Sequence, residues 1–273
     1  MSSDTGLYGP DSVTWQVNAD PAMLLGGLRA LLLQAVHPLA MAGVAQHSDF
    51  KTDPWGRLFR TAEYVRTTAF ASTVEAKRAG ARVRGIHKQL AGIEPETGLA
   101  YRVSDPDLLR WVHCCQVESF LTTTTRCGLR LTKEERDAYY AEQLRNAELV
   151  GLKNAPDSAA AMAAYFRDMQ PQLQVTQAAR DAARFVLLPP MPAKIELITP
   201  ARPGWALLAG TAFAMLPRWA RRLYRLPGLP TTDLAATVAG RAIRAALKAV
   251  PADLIERAAP PGSRAPRGSL PGD

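Results

Sequence analysis

The chain has 273 residues, 47% of them hydrophobic, enough to bury a sizeable core and to exclude an intrinsically disordered protein. Aromatic residues are few, at 7%, and alanine, the best helix former, is abundant, so an all-α protein is expected. The net charge of +8 is uneven: residues 201 to 273 hold eleven Lys and Arg against four acids, a bias that suits a nucleic acid, an anionic membrane surface or a solvated face.

The opening "MSSDTGLYGPDS" lacks the cationic stretch and apolar run of a secretory signal, which points to a cytoplasmic chain. Asp20-Pro21 reads as an N-cap followed by proline at the first helical position. It leads into "AMLLGGLRALLLQAVHPLAMAGVA", apolar on nearly all sides, which predicts a central buried helix kinked or broken by Pro38 beside His37. Arg29 and Gln34 interrupt this run, and Pro217 and Arg218 close the next, so nothing reaches the roughly 18 apolar residues of a membrane span.

"DPWGRLFRTAEYVRTTAF" repeats the Asp-Pro start, and "STVEAKRAGARVRGIHKQLAG" follows with Ser72 or Thr73 as cap and Gly92 as stop. "GIEPETGLAYRVSDPD" predicts a short β-hairpin or extended loop near 93–104. Asp105-Pro106 opens a helix running to about Arg126. Its Cys114 and Cys115, with Cys127 just beyond, form no CxxC pair and fit a reducing compartment. "LTKEERDAYYAEQLRNAELVGL" predicts a helix with a capping box at Thr132 and Glu135. Further helices are expected at 156–169, 172–186, 204–216 and 231–249, joined by proline-rich turns such as "LLPPMPAK". One helical domain over 1–250 results, with a low-complexity tail at 251–273 expected to end in disorder.

Several chemistries are excluded by their missing motifs. The chain has no GxGxxG, GxxxxGK[ST] or GxSxG, no HExxH, no ExxH pair of a di-iron bundle and no CxxCH for covalent haem. Four histidines remain, His37, His47, His87 and His113, each on or at the end of a predicted helix. Most lone histidines are packing or surface residues, but a haem needs only one proximal histidine with an apolar slot and cations for its propionates. His87 meets that description best, with Arg84 one turn before it and Val83 and Leu90 adjacent. A second cluster, Arg57, Arg60 and Thr61, is spaced i, i+3, i+4 on one helix face. It reads either as a solvated basic face or as a donor set aimed at an anion, a propionate or an oxygen species.

The ordered motifs "LLLQAVHPLAMAGVAQHSDF", "GRLFRT", "VRGIH", "LLRWVH" and "LTKEERDAYYAEQ" resemble the bacterial branch of the MpaB-type and rubber oxygenase (latex clearing protein) family over roughly residues 12 to 250. The resemblance implies an all-helical catalytic domain, haem b as cofactor, and an oxygenase that uses dioxygen on a hydrophobic substrate, an isoprenoid or another alkene. It places Arg57 and Thr61 on the family's Arg-x-x-x-Thr pair and Arg60 on the cation before the threonine. It places His87, twenty-six positions after Thr61, on the iron ligand, with His37 and His113 as the alternative ligands. The carboxylate that rubber oxygenases carry upstream of the arginine has no match, since the region near Met41 is apolar.

"PRWARRLYRLPG" alternates Trp219, Leu223, Tyr224 and Leu226 with Arg218, Arg221, Arg222 and Arg225, which suits peripheral contact with an anionic membrane or an amphipathic helix packed on the domain. No helix-turn-helix or aromatic platform supports a nucleic-acid partner. The rival reading is a non-catalytic helical protein that holds haem or a lipid. Substrate identity and oligomeric state are not legible.

Overall fold

The computed structural model describes residues 4–49, 52–190, 201–226 and 228–250. It is an all-α domain with twelve α-helices among the described residues and one two-stranded antiparallel hairpin. The expected disorder at 251–273, and part of the proline-rich turn after Leu187, lie outside the described residues.

The centre is a helix pair, α2 (Met23–Gln34) against α6 (Pro106–Arg126). Leu32, Leu33, Trp111, Cys114, Cys115 and Val117 form its fully buried seam. Gly26 makes the crossing tight: a Cβ there would stand 3.3 Å from the Phe120 Cα. Arg29, 1% exposed, spans the seam, donating to Glu118 at 2.6 Å, to Ser119 at 2.6 Å and to the Met215 carbonyl at 3.0 Å. That full set of partners is what lets a charge sit so deep.

The chain enters this pair through α1 (Val13–Ala19) and leaves α2 at a sharp elbow into α3 (Pro38–His47). The two helices bend by 105° at the break expected beside Pro38. Asp20 does not cap α2 directly as expected. It caps the turn before the helix, accepting from the Ala22 N–H at 2.9 Å, and the helix begins at Met23; Asp20 is also held by Arg244. No single described helix is long and apolar enough to cross a membrane. The bent α2–α3 pair passes by length and composition, but most of α2 is buried in the core.

Next comes α4 (Pro54–Phe70), capped by Asp53 with Pro54 at the first position, and α5 (Thr73–Gln89), with Ser72 and Glu75 in a reciprocal capping box. Gly92 does not stop α5 as expected. The helix ends at Gln89 and Gly92 lies inside β1 (Ala91–Ile93), which pairs with β2 (Ala100–Arg102) in the register Gly92 to Tyr101. This hairpin packs under α3, with Tyr101 buried beside Ala42 and Leu108.

Thr132 and Glu135 close the expected box on α7 (Lys133–Leu149). The rest is α8 (Ala159–Met169), α9 (Gln177–Leu187), α10 (Ala201–Ala214), α11 (Arg218–Leu223) and α12 (Pro230–Lys248). α10 and α12 cover α2 with Ala209, Ala212, Ala236 and Ile243.

α11 turns its apolar side inward. Trp219, Leu223 and Tyr224 pack on the main core, Tyr224 donates to the Leu32 carbonyl at 2.8 Å, and Arg221 is 1% exposed. Among the described residues of that stretch, Arg218, Arg222, Arg225 and Leu226 are exposed. The amphipathic helix is packed on the domain through Trp219, Leu223 and Tyr224.

Candidate functional site

α4 and α5, joined by Ala71 and Ser72, form an antiparallel hairpin lying against α1 and α7. Its pairing follows from which charges reach across it: Arg57 acts on His87, Arg84 on Tyr64 and Arg66 on Glu75. α5 presents one stripe at helical spacing, from the buried Ala76 and Gly80 to the half-buried Arg84 and His87. Gly80 permits the close approach to α7, since a Cβ there would sit 2.8 Å from both the Leu149 Cβ and its carbonyl oxygen.

His87 stands at the open end of this hairpin. Its Nδ1 is buried and has no hydrogen-bond partner among the described residues. Burial lowers its proton affinity and the Arg57 guanidinium lowers it further, so the imidazole is held neutral. A neutral imidazole is the form that donates a lone pair to a metal.

Arg57 is itself half-buried and dehydrated; burial first, then Arg60, weakens its hold on the proton. It donates through Nε to Ser48 Oγ at 3.0 Å and through a terminal nitrogen to Thr61 Oγ1, while the Thr61 hydroxyl donates to the Arg57 carbonyl at 2.9 Å. Arg57 and Thr61 are therefore one unit. Arg60 is not part of it: it lies 57% exposed and pairs with Asp53 at 3.2 Å and Asp49 at 3.9 Å. Of the three residues expected as a donor set, Arg57 and Thr61 are joined by hydrogen bonds, and Arg60 is paired with two surface carboxylates.

Arg84 also differs from the expectation of a cation turned toward a cofactor. Its guanidinium donates to the Leu149 carbonyl at the end of α7, and so fixes α5 in place. Near it lies a residue the sequence reading missed. The Tyr64 hydroxyl is buried without a partner, and burial pushes it up to about 12. Its signal was the i, i+4, i+7 spacing with Arg57 and Thr61, which puts all three on one face.

The remaining histidines lie elsewhere. His37 is 5% exposed at the α2–α3 elbow, caps α3 by accepting from the Ala40 N–H at 3.5 Å, and stands 5.7 Å from the Trp111 ring. Burial lowers its proton affinity, partly offset by its own backbone and by Asp105 and Asp107. His113, 6% exposed on α6, is pulled down to about 4 by burial. His47 is near the surface, 3.2 Å from the Ala91 carbonyl and 3.2 Å from the Tyr101 hydroxyl. The structure does not gather the four, and no group of three or more His, Cys, Asp and Glu is placed to hold a metal ion among the described residues.

An all-helical domain with a neutral, unpartnered histidine beside a dehydrated arginine has the makings of a site that holds a group by one nitrogen and meets negative charge with preset donors. The match to the family model "ER-bound oxygenase mpaB/B'/rubber oxygenase, catalytic domain" spans residues 15–249, and the chain belongs to this family of oxygenases. No curated protein and no solved structure matches it.

Proposed function

We propose that the protein is a haem b-dependent oxygenase acting with dioxygen on a hydrophobic, alkene-containing small molecule of the isoprenoid kind. The observation that carries this reading is His87: a neutral imidazole with an orphaned buried nitrogen, next to Arg57, in an oxygenase catalytic domain. These features fit a haem, which His87 would hold through one imidazole nitrogen. When bound, the haem supplies the activation of dioxygen.

The chain's own residues do the rest. His87 would hold the group through its unpartnered ring nitrogen. The Arg57–Thr61 unit offers preset donors in a partly dehydrated setting, where they act strongly on developing negative charge without reorganising. Ser48 fixes the direction of the Arg57 side chain, and Arg84 fixes α5 through the Leu149 carbonyl. Among the described residues no carboxylate pairs with Arg57, and Asp49 and Asp53 are engaged with Arg60 at the surface. The reaction is therefore assigned to donors rather than to a carboxylate base. Met41 stands in an apolar cluster with Ala35 and Ala179.

The test is expression with ample haem supply, followed by absorption spectra. Wild type is expected to show a Soret band, and His87→Ala to lose it with an unchanged far-ultraviolet circular dichroism spectrum. Full haem occupancy in His87→Ala would refute the assignment. Loss of the band in folded His37→Ala or His113→Ala would move the ligand there. Oxygen uptake with a polyprenyl alkene separates the enzyme from a non-catalytic haem or lipid carrier, which consumes none.

A further inference from the structure

A cavity of about 530 Å³ opens between α2, α6, α11 and α12, on elements other than the α4–α5 hairpin. Its charges do not balance. Arg29 is matched by Glu118, and the single carboxylate of Asp233 serves both Arg218 at 2.7 Å and Arg221 at 2.5 Å. Arg126, half-buried in the wall, forms no ion pair among the described residues. It donates only to neutral oxygens: the Thr237 hydroxyl at 2.9 Å, the Asp233 carbonyl at 2.9 Å and the Met215 carbonyl at 3.3 Å. Three guanidiniums of the lining, Arg29, Arg126 and Arg218, thus meet two carboxylates, one of which is shared with Arg221 outside the lining. Burial and the neighbouring Arg29 both weaken the charged state of Arg126, with Arg221 adding to that and Asp233 opposing it.

A further observation points the same way. Arg218 engages Asp233 through Nε alone, leaving its terminal nitrogens open at the cavity mouth. Surplus buried cations are costly unless an anion meets them, and arginine forks suit planar or tetrahedral oxyanions. Pro217 and Leu234, the latter 68% exposed, add an apolar rim to this cationic wall.

We infer that this cavity binds an oxyanion, a carboxylate or a phosphate, between Arg126 and Arg218, with any attached apolar chain running over Pro217 and Leu234. The inference stands apart from the assignment of His87 and uses none of its residues.

Isothermal titration of the full chain with inorganic phosphate, hexyl phosphate, hexanoate and uncharged hexanol, at constant ionic strength, tests it. Saturable binding of at least one of the three anions is expected, weakened roughly tenfold or more by Arg126→Gln, as loss of one charge-assisted contact implies. Arg218→Gln, at a residue half-exposed and safe to alter, is expected to weaken it likewise. Tighter binding of hexyl phosphate than of inorganic phosphate identifies an amphiphile, and equal binding identifies the free ion; either supports the site. The inference is overturned if no anion saturates, if hexanol binds as well as hexyl phosphate, or if the Arg218 variant binds like wild type.

Discussion

His113 and His87 both favour the neutral imidazole, for different reasons and with different consequences. At His113 burial acts alone, taking the folded-state value from 6.5 to about 4. The unfolded chain therefore binds more protons between those values, and stability rises with pH across that window. Stability from this residue is complete above about pH 6.5 and falls away toward pH 4. A shift of this size corresponds to about 3 kcal/mol, and His37 acts in the same direction. Urea unfolding of the protein at pH 7 and pH 4 should show this loss, and His113→Gln should flatten the slope; equal slopes in the two proteins would refute it. At His87 burial is joined by a neighbouring cation, and that neighbour is what distinguishes a candidate ligand from a core histidine. Residue type and spacing marked Arg57, Thr61 and His87 in the sequence. They did not reveal that Arg60 turns away, because that depends on Asp49 and Asp53 coming to its side of the helix start, which helical spacing does not encode.

Elements were legible where the sequence carried a cap. Asp53-Pro54, Ser72 with Glu75, Asp105-Pro106 and Thr132 with Glu135 each begin a helix where expected, since each satisfies orphan N–H groups locally. The seven-residue α1 was not legible, being too short to show a 3.6-residue period. Gly92 misled because a strand, not a terminating turn, follows α5. Two glycines on α5 give a direct test of what positions this helix. Gly80→Ala would force a Cβ against the Leu149 carbonyl, which also receives Arg84, whereas at Gly85 nothing lies within 4 Å. Gly80→Ala should destabilise by about 1–3 kcal/mol and Gly85→Ala should stabilise by up to about 1 kcal/mol, both read from urea midpoints. The same sign in both variants would mean that the α5–α7 contact does not limit the helix.

At the scale of the molecule, the fold is closed by a contact between residues 224 apart in sequence. Arg244 on α12 grips both oxygens of Asp20, Oδ1 at 3.0 Å and Oδ2 at 2.6 Å, in the turn that begins α2. Asp20 is 4% exposed in its side chain and Arg244 17%, so removing one partner strands the other. Asp20→Asn should lower the unfolding free energy by about 3 kcal/mol, and a thermal melt within error of wild type would show that α12 is held by its apolar face alone. The all-α class and the central apolar ribbon were readable from alanine content and hydropathy. This long-range clasp was not, because nothing local links an aspartate before a helix to an arginine more than two hundred residues later.

The clasp also changes what the formal charge of the chain means. Arg29, Arg221 and Arg244 are all shielded by carboxylates within the fold, so several cations tallied along the polypeptide serve as internal fasteners. Because each of these pairs is neutral, the net positive charge is carried by side chains outside them, and a polyanion diffusing past would meet exposed cations such as Arg78, Arg82, Arg222 and Arg225.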